Sequence, residues 1–269
     1  MNALKQQGFD QDTLVLFSSD HGAGPYAGNI LKATPGQIKQ LEQQGHYSSG
    51  PYRGYKFSVY EGGLRVPLIA RWPGVVPAGT SSGALVGLND LAATFAELSG
   101  QSLATDEGPD SISFAAVLRD PSEEGARKQL VMQSVMSFVI RDGDWKLCLC
   151  PGSGVPAGSG NMVGNDPLPG EAWPKALAGF EGSLTDEALL KPRFVQLFNL
   201  AEDPHEDHNL ANQHPDRVAA LIALLKKQIA EGRSTPGPAL KNDRNVRLVN
   251  VNDRRLPAVV REYVKPPKR

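Results

Sequence analysis

Short apolar runs separated by long polar excursions set the pattern of this chain, and the first run is the most informative. Leu14-Val15-Leu16-Phe17 breaks at once into Ser18-Ser19-Asp20-His21-Gly22. Four consecutive apolar residues between polar neighbours predict a strand buried on both faces of a parallel sheet. In an open α/β sheet, the loops leaving the carboxyl ends of the strands converge on a crevice, which is where this reading puts Asp20 and His21. Residues 2–7 predict the last turns of a helix, with Gly8 as its left-handed cap. Residues 23–53 form a polar excursion with a short helix over 35–44, and a second strand is predicted over 65–72, ended by Pro73-Gly74. Asn89 or Asp90 caps a helix carrying Leu91, Phe95 and Leu98 on one face, and Gly100 closes it. A short helical piece follows near 114–118.

From Leu130 the pattern changes. Strands are predicted over 130–135, 138–141 and 145–149, the last two joined by Asp142-Gly143-Asp144, a good hairpin signal. Residues 151–193, rich in Gly and Pro, predict a long surface excursion, and 194–200 a further strand. Pro215 opens the clearest helix, with Val218, Leu221, Ile222, Leu225 and Ile229 as one apolar stripe and Gly232 as its stop. The fold class expected is α/β. Residues 1–125 form part of an α/β domain, and 126–269 a subdomain with an antiparallel sheet, one amphipathic helix and a basic, solvated tail from Lys241. A parallel strand needs neighbours and covering layers, so the first half of the sheet is expected upstream of these residues.

Composition adds mainly exclusions. A chain of 269 residues is long enough for a sizeable core, and 40% hydrophobic and 21% charged residues are ordinary for a globular protein. The formal net charge of −1 gives no argument for nucleic acid or a membrane surface as partner. No apolar run approaches the roughly 18 residues of a transmembrane segment; no secretory-signal pattern is visible after Met1, an ambiguous absence in a chain that reads as beginning in mid-domain. Cys148 and Cys150 are too close along the chain for ordinary disulfide geometry and read as structural thiols.

Two stretches carry candidate chemistry. Asp20 offers a hard oxygen ligand of the kind calcium prefers, whereas the imidazole of His21 suits zinc or manganese better. The plainer alternative is an Asp that caps the following turn and a His bonded to the backbone. The second stretch is Gly54-Tyr55-Lys56-Phe57-Ser58-Val59-Tyr60-Glu61-Gly62-Gly63-Leu64-Arg65-Val66-Pro67. Its lysine presents a compact ammonium group able to neutralise an anion, although most lysines in Gly-rich turns are simply solvated. His46, in the long loop, is a further candidate for touching substrate or donating a proton.

Taken together, Leu14–Gly22 and Gly54–Pro67 resemble the later half of a formylglycine-dependent (type I) sulfatase, arylsulfatase-like and within the alkaline-phosphatase-like superfamily. The resemblance continues through Arg71-Trp72-Pro73-Gly74, Asp142-Gly143-Asp144-Trp145-Lys146-Leu147, Gln196-Leu197-Phe198-Asn199-Leu200 and Arg233-Ser234-Thr235-Pro236-Gly237, so it covers most of the chain. It implies the C-terminal part of an alkaline-phosphatase-like sulfatase domain followed by a small antiparallel α+β subdomain. It also implies sulfuric ester hydrolysis, with Asp20 and His21 as ligands of Ca2+, Lys56 on the sulfate group, and Glu61 and Arg65 holding the segment in place. The substrate implied is a small-molecule or carbohydrate sulfate ester, in a periplasmic or secreted setting.

The chain departs from the family at the nucleophile, a Cys or Ser in Cys/Ser-x-Pro-Ser-Arg that is oxidised to formylglycine. Cys150-Pro151-Gly152-Ser153 has its proline one place early. Ser49-Gly50-Pro51-Tyr52-Arg53 is nearer, but it lies beside the Lys56 block, far from where the family carries its nucleophile, and reads as a decoy. The formylglycine is therefore expected upstream of this chain, which by itself would be inactive. Two other readings stay open: a phosphodiesterase or phosphonate hydrolase of the same superfamily, and a truncated, non-catalytic chain that binds anions.

Overall fold

A computed structural model describes residues 1–24, 37–134, 137–154, 172–180 and 185–249. Helix α1 (Asn2–Gln6) ends at Gly8, whose φ of +75° gives the left-handed cap expected there. Strand β1 (Val15–Ser18) leads to α2 (Gln37–Gln43), α3 (Glu61–Leu64) and β2 (Leu68–Arg71). A 3₁₀ turn over Leu88–Asp90 runs into α4 (Leu91–Leu98), with α5 (Ala115–Arg119) beyond it. Strands β3 (Gln129–Gln133), β4 (Phe138–Asp142) and β5 (Trp145–Cys148) precede α6 (Ala172–Leu177), α7 (Asp186–Leu189), β6 (Gln196–Asn199) and α8 (Pro215–Glu231).

The chain gathers into two compact units, each from three separate segments. The first takes Met1–Asp20, Pro67–Leu130 and Lys226–Arg244; the second takes the described residues of His21–Val66, Val131–Leu225 and Asn245–Arg269.

In the first unit, β1 and β2 pair antiparallel, Val15 opposite Arg71 and Phe17 opposite Ile69. The parallel arrangement expected from the apolar run is thereby corrected, because a run of four apolar residues carries no information on strand direction. Within these residues β1 is not covered on both faces. Phe17 is 62% and Ile69 59% exposed, a cross-strand pair open to solvent, while Leu14 and Ala70 pack on Phe114, Val117 and Leu118 with Leu91 and Leu98. Phe95, expected on the apolar face of α4, is 50% exposed. Asp90 stands at the N-cap position of α4, as expected, but its side chain makes no cap bond to that helix and is used elsewhere. Its carboxylate accepts the amides of Gly87 and Ile112 (2.8 and 2.9 Å) and pairs bidentately with the buried Arg127, tying together segments 20 to 40 residues apart.

Strands β3-β4-β5-β6 lie side by side in that order, with β4–β5 and β5–β6 antiparallel. The tight β4–β5 turn is made by Gly143 at φ +58°, in the Asp-Gly-Asp segment predicted for it. Ile140, Leu147, Leu197 and Phe198 are all but fully buried, each worth about 1.5–3 kcal/mol of transfer free energy. On α8, Val218, Leu221 and Leu225 are buried as the stripe predicted, and Gly232 terminates the helix at φ +64°.

The stretch 151–193 is not simply a surface excursion. Trp173, Leu189 and Leu190 are buried, and Trp173 and Phe180 both pack on the ring of Phe194, with centroids 6.0 and 5.4 Å away. Aromatic burial here outweighs the loop-like composition. The described part of the tail is exposed over 241–246, as expected, and turns inward at Leu248 and Val249, which are buried. Residues 250–269, and parts of both long excursions (25–36, 155–171 and 181–184), lie outside the described residues. Cys148 and Cys150 are buried thiols not joined in a disulfide, and burial pushes Cys148 well above its ordinary pKa.

Candidate functional site

The segment carrying Lys56 folds into a tight loop through its own backbone. The Gly62 amide donates to the Arg53 carbonyl at 2.7 Å, and the Ser58 amide donates to Tyr55 at 3.0 Å. A Cβ at Gly62 would overlap the carbonyls of Arg53 and Gly54, and one at Gly63 would overlap that of Tyr55. The two glycines after Glu61 are therefore required by close backbone approach. Phe57, next to Lys56, sits at φ +78°, a conformation a side chain rarely adopts, and its carbonyl accepts from the Ser134 hydroxyl.

This loop is stitched to the residues after β1. Gly22 donates its amide to Gly63 at 3.0 Å, Lys56 donates its amide to Ala23 at 2.9 Å, and a Cβ at Gly22 would run into the Gly62 carbonyl. The structure thus joins His21-Gly22-Ala23 directly to the Lys56 loop, although 33 positions separate Ala23 from Lys56 (56 − 23). His21 is half-buried and its Nδ1 lies 2.8 Å from the Gly22 carbonyl; with the proton on Nδ1, Nε2 is the ring atom with a lone pair to offer. Asp20, one residue earlier, is exposed. Lys56 is half-buried, its Nζ 5.2 Å from the Phe57 ring centre. His46 stands exposed beyond α2, its amide bonded to Leu41 at 2.9 Å, and it makes no hydrogen bond to the Lys56 loop. The Ser49 hydroxyl donates to the carbonyls of Gly54 and Gly62 (3.2 and 3.4 Å), a structural use of that side chain.

Behind the loop lies a buried cluster of charge. Lys146 Nζ, fully enclosed, is 2.8 Å from Glu61 Oε1 and 2.8 Å from Glu206 Oε1. Glu206 Oε2 accepts the Glu61 amide at 2.5 Å. Arg65 and Arg141 approach Glu61 Oε2 at 3.8 and 3.9 Å, and Arg53 donates to the Glu206 carbonyl at 2.9 Å while its guanidinium lies over the Tyr60 ring. Burial alone would raise Glu61, but Lys146, Arg141 and Arg65 outweigh it and hold the carboxyl below its ordinary value. Burial wins at Glu206, which is raised in spite of Lys146. Burial opposes the charge of Lys146 too, yet Glu206 and Glu61 hold it above its ordinary value.

Glu61 does fasten the segment by a charge-assisted hydrogen bond, from Lys146, as the sequence predicts, whereas Arg65 contributes only a 3.8 Å ion pair to Glu61 within the segment itself. Lys146 and Glu206 escaped that reading. Lys146 sits in Trp145-Lys146-Leu147-Cys148, where a lysine inside an apolar strand is a visible oddity; nothing local marks Glu206.

Among the described residues, no group of three or more His, Cys, Asp or Glu comes together to hold a metal ion. Asp20 and His21 offer one oxygen-rich side chain and one nitrogen, against the six to eight oxygens of a calcium sphere. They fit a contribution to such a site and do not complete one.

Comparison with known proteins points to the family. A sequence profile of the Sulfatase family matches residues 1–101, which contain both stitched segments. N-acetylgalactosamine-6-O-sulfatase of Bacteroides thetaiotaomicron is 32% identical over 227 residues, 84% of this chain and 38% of that protein. Human arylsulfatase D is 27% identical over 245 residues, 88% and 37% respectively. These matches support a member of the sulfatase family. Among solved structures, a Bacteroides thetaiotaomicron protein from a locus for the metabolism of multiple glycosaminoglycans superposes with a TM-score of 0.61 at 28% identity, over 84% of this chain and 41% of that one. The PsFucS1 sulfatase of Pseudoalteromonas shares the fold at a TM-score of 0.57 and 22% identity. The sulfatase chain described here thus matches the C-terminal part of its relatives and spans well under half of their length. The family is generally metal-dependent. No helix among the described residues is long and apolar enough to cross a membrane.

Proposed function

We propose that this chain forms the C-terminal part of a calcium-assisted sulfuric ester hydrolase. Lys56 contacts the sulfate oxygens, and Asp20 and His21 contribute two ligands to the ion. The observation that supports this reading is the stitching of the Lys56 loop to His21-Gly22-Ala23 by main-chain hydrogen bonds from Gly22 to Gly63 and from Lys56 to Ala23. As the ester bond breaks, negative charge grows on the sulfate oxygens, and a preorganised ammonium stabilises it without solvent reorganisation. Calcium, when bound, adds fixed positive charge and orients the anion. The modified nucleophile and the remaining ion ligands lie on another segment, since no Cys/Ser-x-Pro-Ser-Arg occurs in these 269 residues. A sulfated carbohydrate is the substrate class this reading favours, and a periplasmic or secreted setting goes with it.

The pure 269-residue chain is expected to release no 4-nitrophenol from 4-nitrophenyl sulfate. Enzyme-dependent release would place a nucleophile within the chain and overturn the division of labour; Ser49 would then be examined by mass spectrometry for loss of two hydrogens. Calcium should bind the chain with a Kd near or above about 10⁻³ M, in the range of the weakest sites. Calorimetry showing submicromolar binding that survives Asp20→Ala would locate the ion site elsewhere.

A further inference from the structure

Glu206 lies far along the chain from the Lys56 loop, yet it holds both ends of it. Its main-chain carbonyl accepts from Arg53 Nη1 at 2.9 Å, where the loop begins, and its carboxylate accepts the amide of Glu61 at 2.5 Å, where the loop ends. Between these two anchors lies the chain that carries Lys56. Glu206 is fully buried and adopts φ +62°; among the described non-glycine residues, only it and Phe57, the neighbour of Lys56, have a positive φ. Such a backbone persists in a side-chain-bearing residue only where its surroundings over-determine it. Here they do. Asp203 accepts the amides of Asp207 and His208 (3.1 and 2.8 Å), its carbonyl accepts that of Glu206 at 3.1 Å, and Asn209 ties the turn to β6 through the Leu197 amide at 3.0 Å. The turn after β6 is built to aim one carboxylate inward at the end of the loop.

We propose that Glu206 is a positioning residue for Lys56, clamping the two ends of the 53–61 loop so that the ammonium is held where the sulfate binds. This rests on the reading of Lys56 given above. The Glu61 amide requires an acceptor oxygen that reaches it, and Arg53 requires the backbone turn. One residue therefore answers both anchors, and a side chain too short to reach the Glu61 amide answers only one.

The test uses the full chain, with hydrogen exchange resolved along the sequence and inorganic sulfate as the binding probe. Losing a hydrogen bond to a buried charged group corresponds to a factor of about ten or more in an equilibrium constant. Glu206→Ala should therefore speed exchange of the 53–63 amides about tenfold beyond any change shared by β5 and the centre of α8, and raise the sulfate Kd by about tenfold. Glu206→Gln, which keeps an acceptor for the Glu61 amide, should recover most of both effects. Arg53→Met, which removes only the donor to the Glu206 carbonyl, should loosen the same loop and serves if Glu206→Ala does not fold. Faster exchange spread evenly through β4, β5 and β6 would mean a purely structural role and overturn the proposal. So would a loosened loop with unchanged sulfate Kd while Lys56→Ala raises it; in that case the reading of Lys56 stands and only the clamp fails. If Lys56→Ala leaves the sulfate Kd unchanged, the reading of Lys56 itself is lost and the clamp has nothing to position.

Discussion

Lys146→Met is expected to lower the stability of the chain by about 3–5 kcal/mol, the usual cost of removing one partner from a buried ion pair. Lys146 is wholly enclosed between Glu61 and Glu206, so its loss leaves two carboxylates facing each other without a counter-ion inside the fold. At about 2–4 °C per kcal/mol for a chain of this size, the melting temperature should fall by roughly 10 °C. A fall of only a degree or two in a thermal scan would mean that the cluster is hydrated rather than sealed. The pH dependence has a definite sign. Because Glu61 is held below its ordinary value of 4.5, its contribution is fully present above that pH and is lost as the pH falls through the lowered value. The gap in melting temperature between wild type and Glu61→Gln should thus be widest near neutrality and close in acid. Lys146 is held above its ordinary value of 10.5, so its contribution is fully present below that pH and is lost as the pH rises from there through the raised value.

Lys56→Ala, in an enzyme that joins this chain to a segment carrying the modified nucleophile, should lower kcat by about 10²–10³, or roughly 2.7–4 kcal/mol of lost electrostatic stabilisation. Asp20→Ala should be at least as damaging, because it disturbs the ion that orients the anion. Ser49→Ala should change little, since its hydroxyl only bonds the carbonyls of Gly54 and Gly62. A Lys56→Ala enzyme with wild-type kcat, or a Ser49→Ala enzyme with none, would mean that the site is centred elsewhere.

Much of this protein was legible in its residues, and the reason is locality. Gly8, Gly143 and Gly232 mark turns because a left-handed backbone needs glycine wherever it occurs. The stripe on α8 and the β4–β5 hairpin follow from periods of 3.6 and 2 that each element carries within itself. The block from Gly54 to Pro67 identified the family for a similar reason: its glycines are demanded by backbone contacts within the loop and with Gly22. Other features depend on residues distant in the chain, and no local pattern encodes them. The direction of pairing between β1 and β2 was one, since Leu14–Phe17 has the same apolar character in either orientation. The exposure of Phe17, Ile69 and Phe95 was another, because hydrophobicity says what a side chain favours and not whether a neighbour is present to cover it. The charge cluster was the plainest case. Lys146 and Glu206 are separated from Glu61 by 85 and 145 positions, and only folding brings the Lys146 ammonium to 2.8 Å from each carboxylate and out of water.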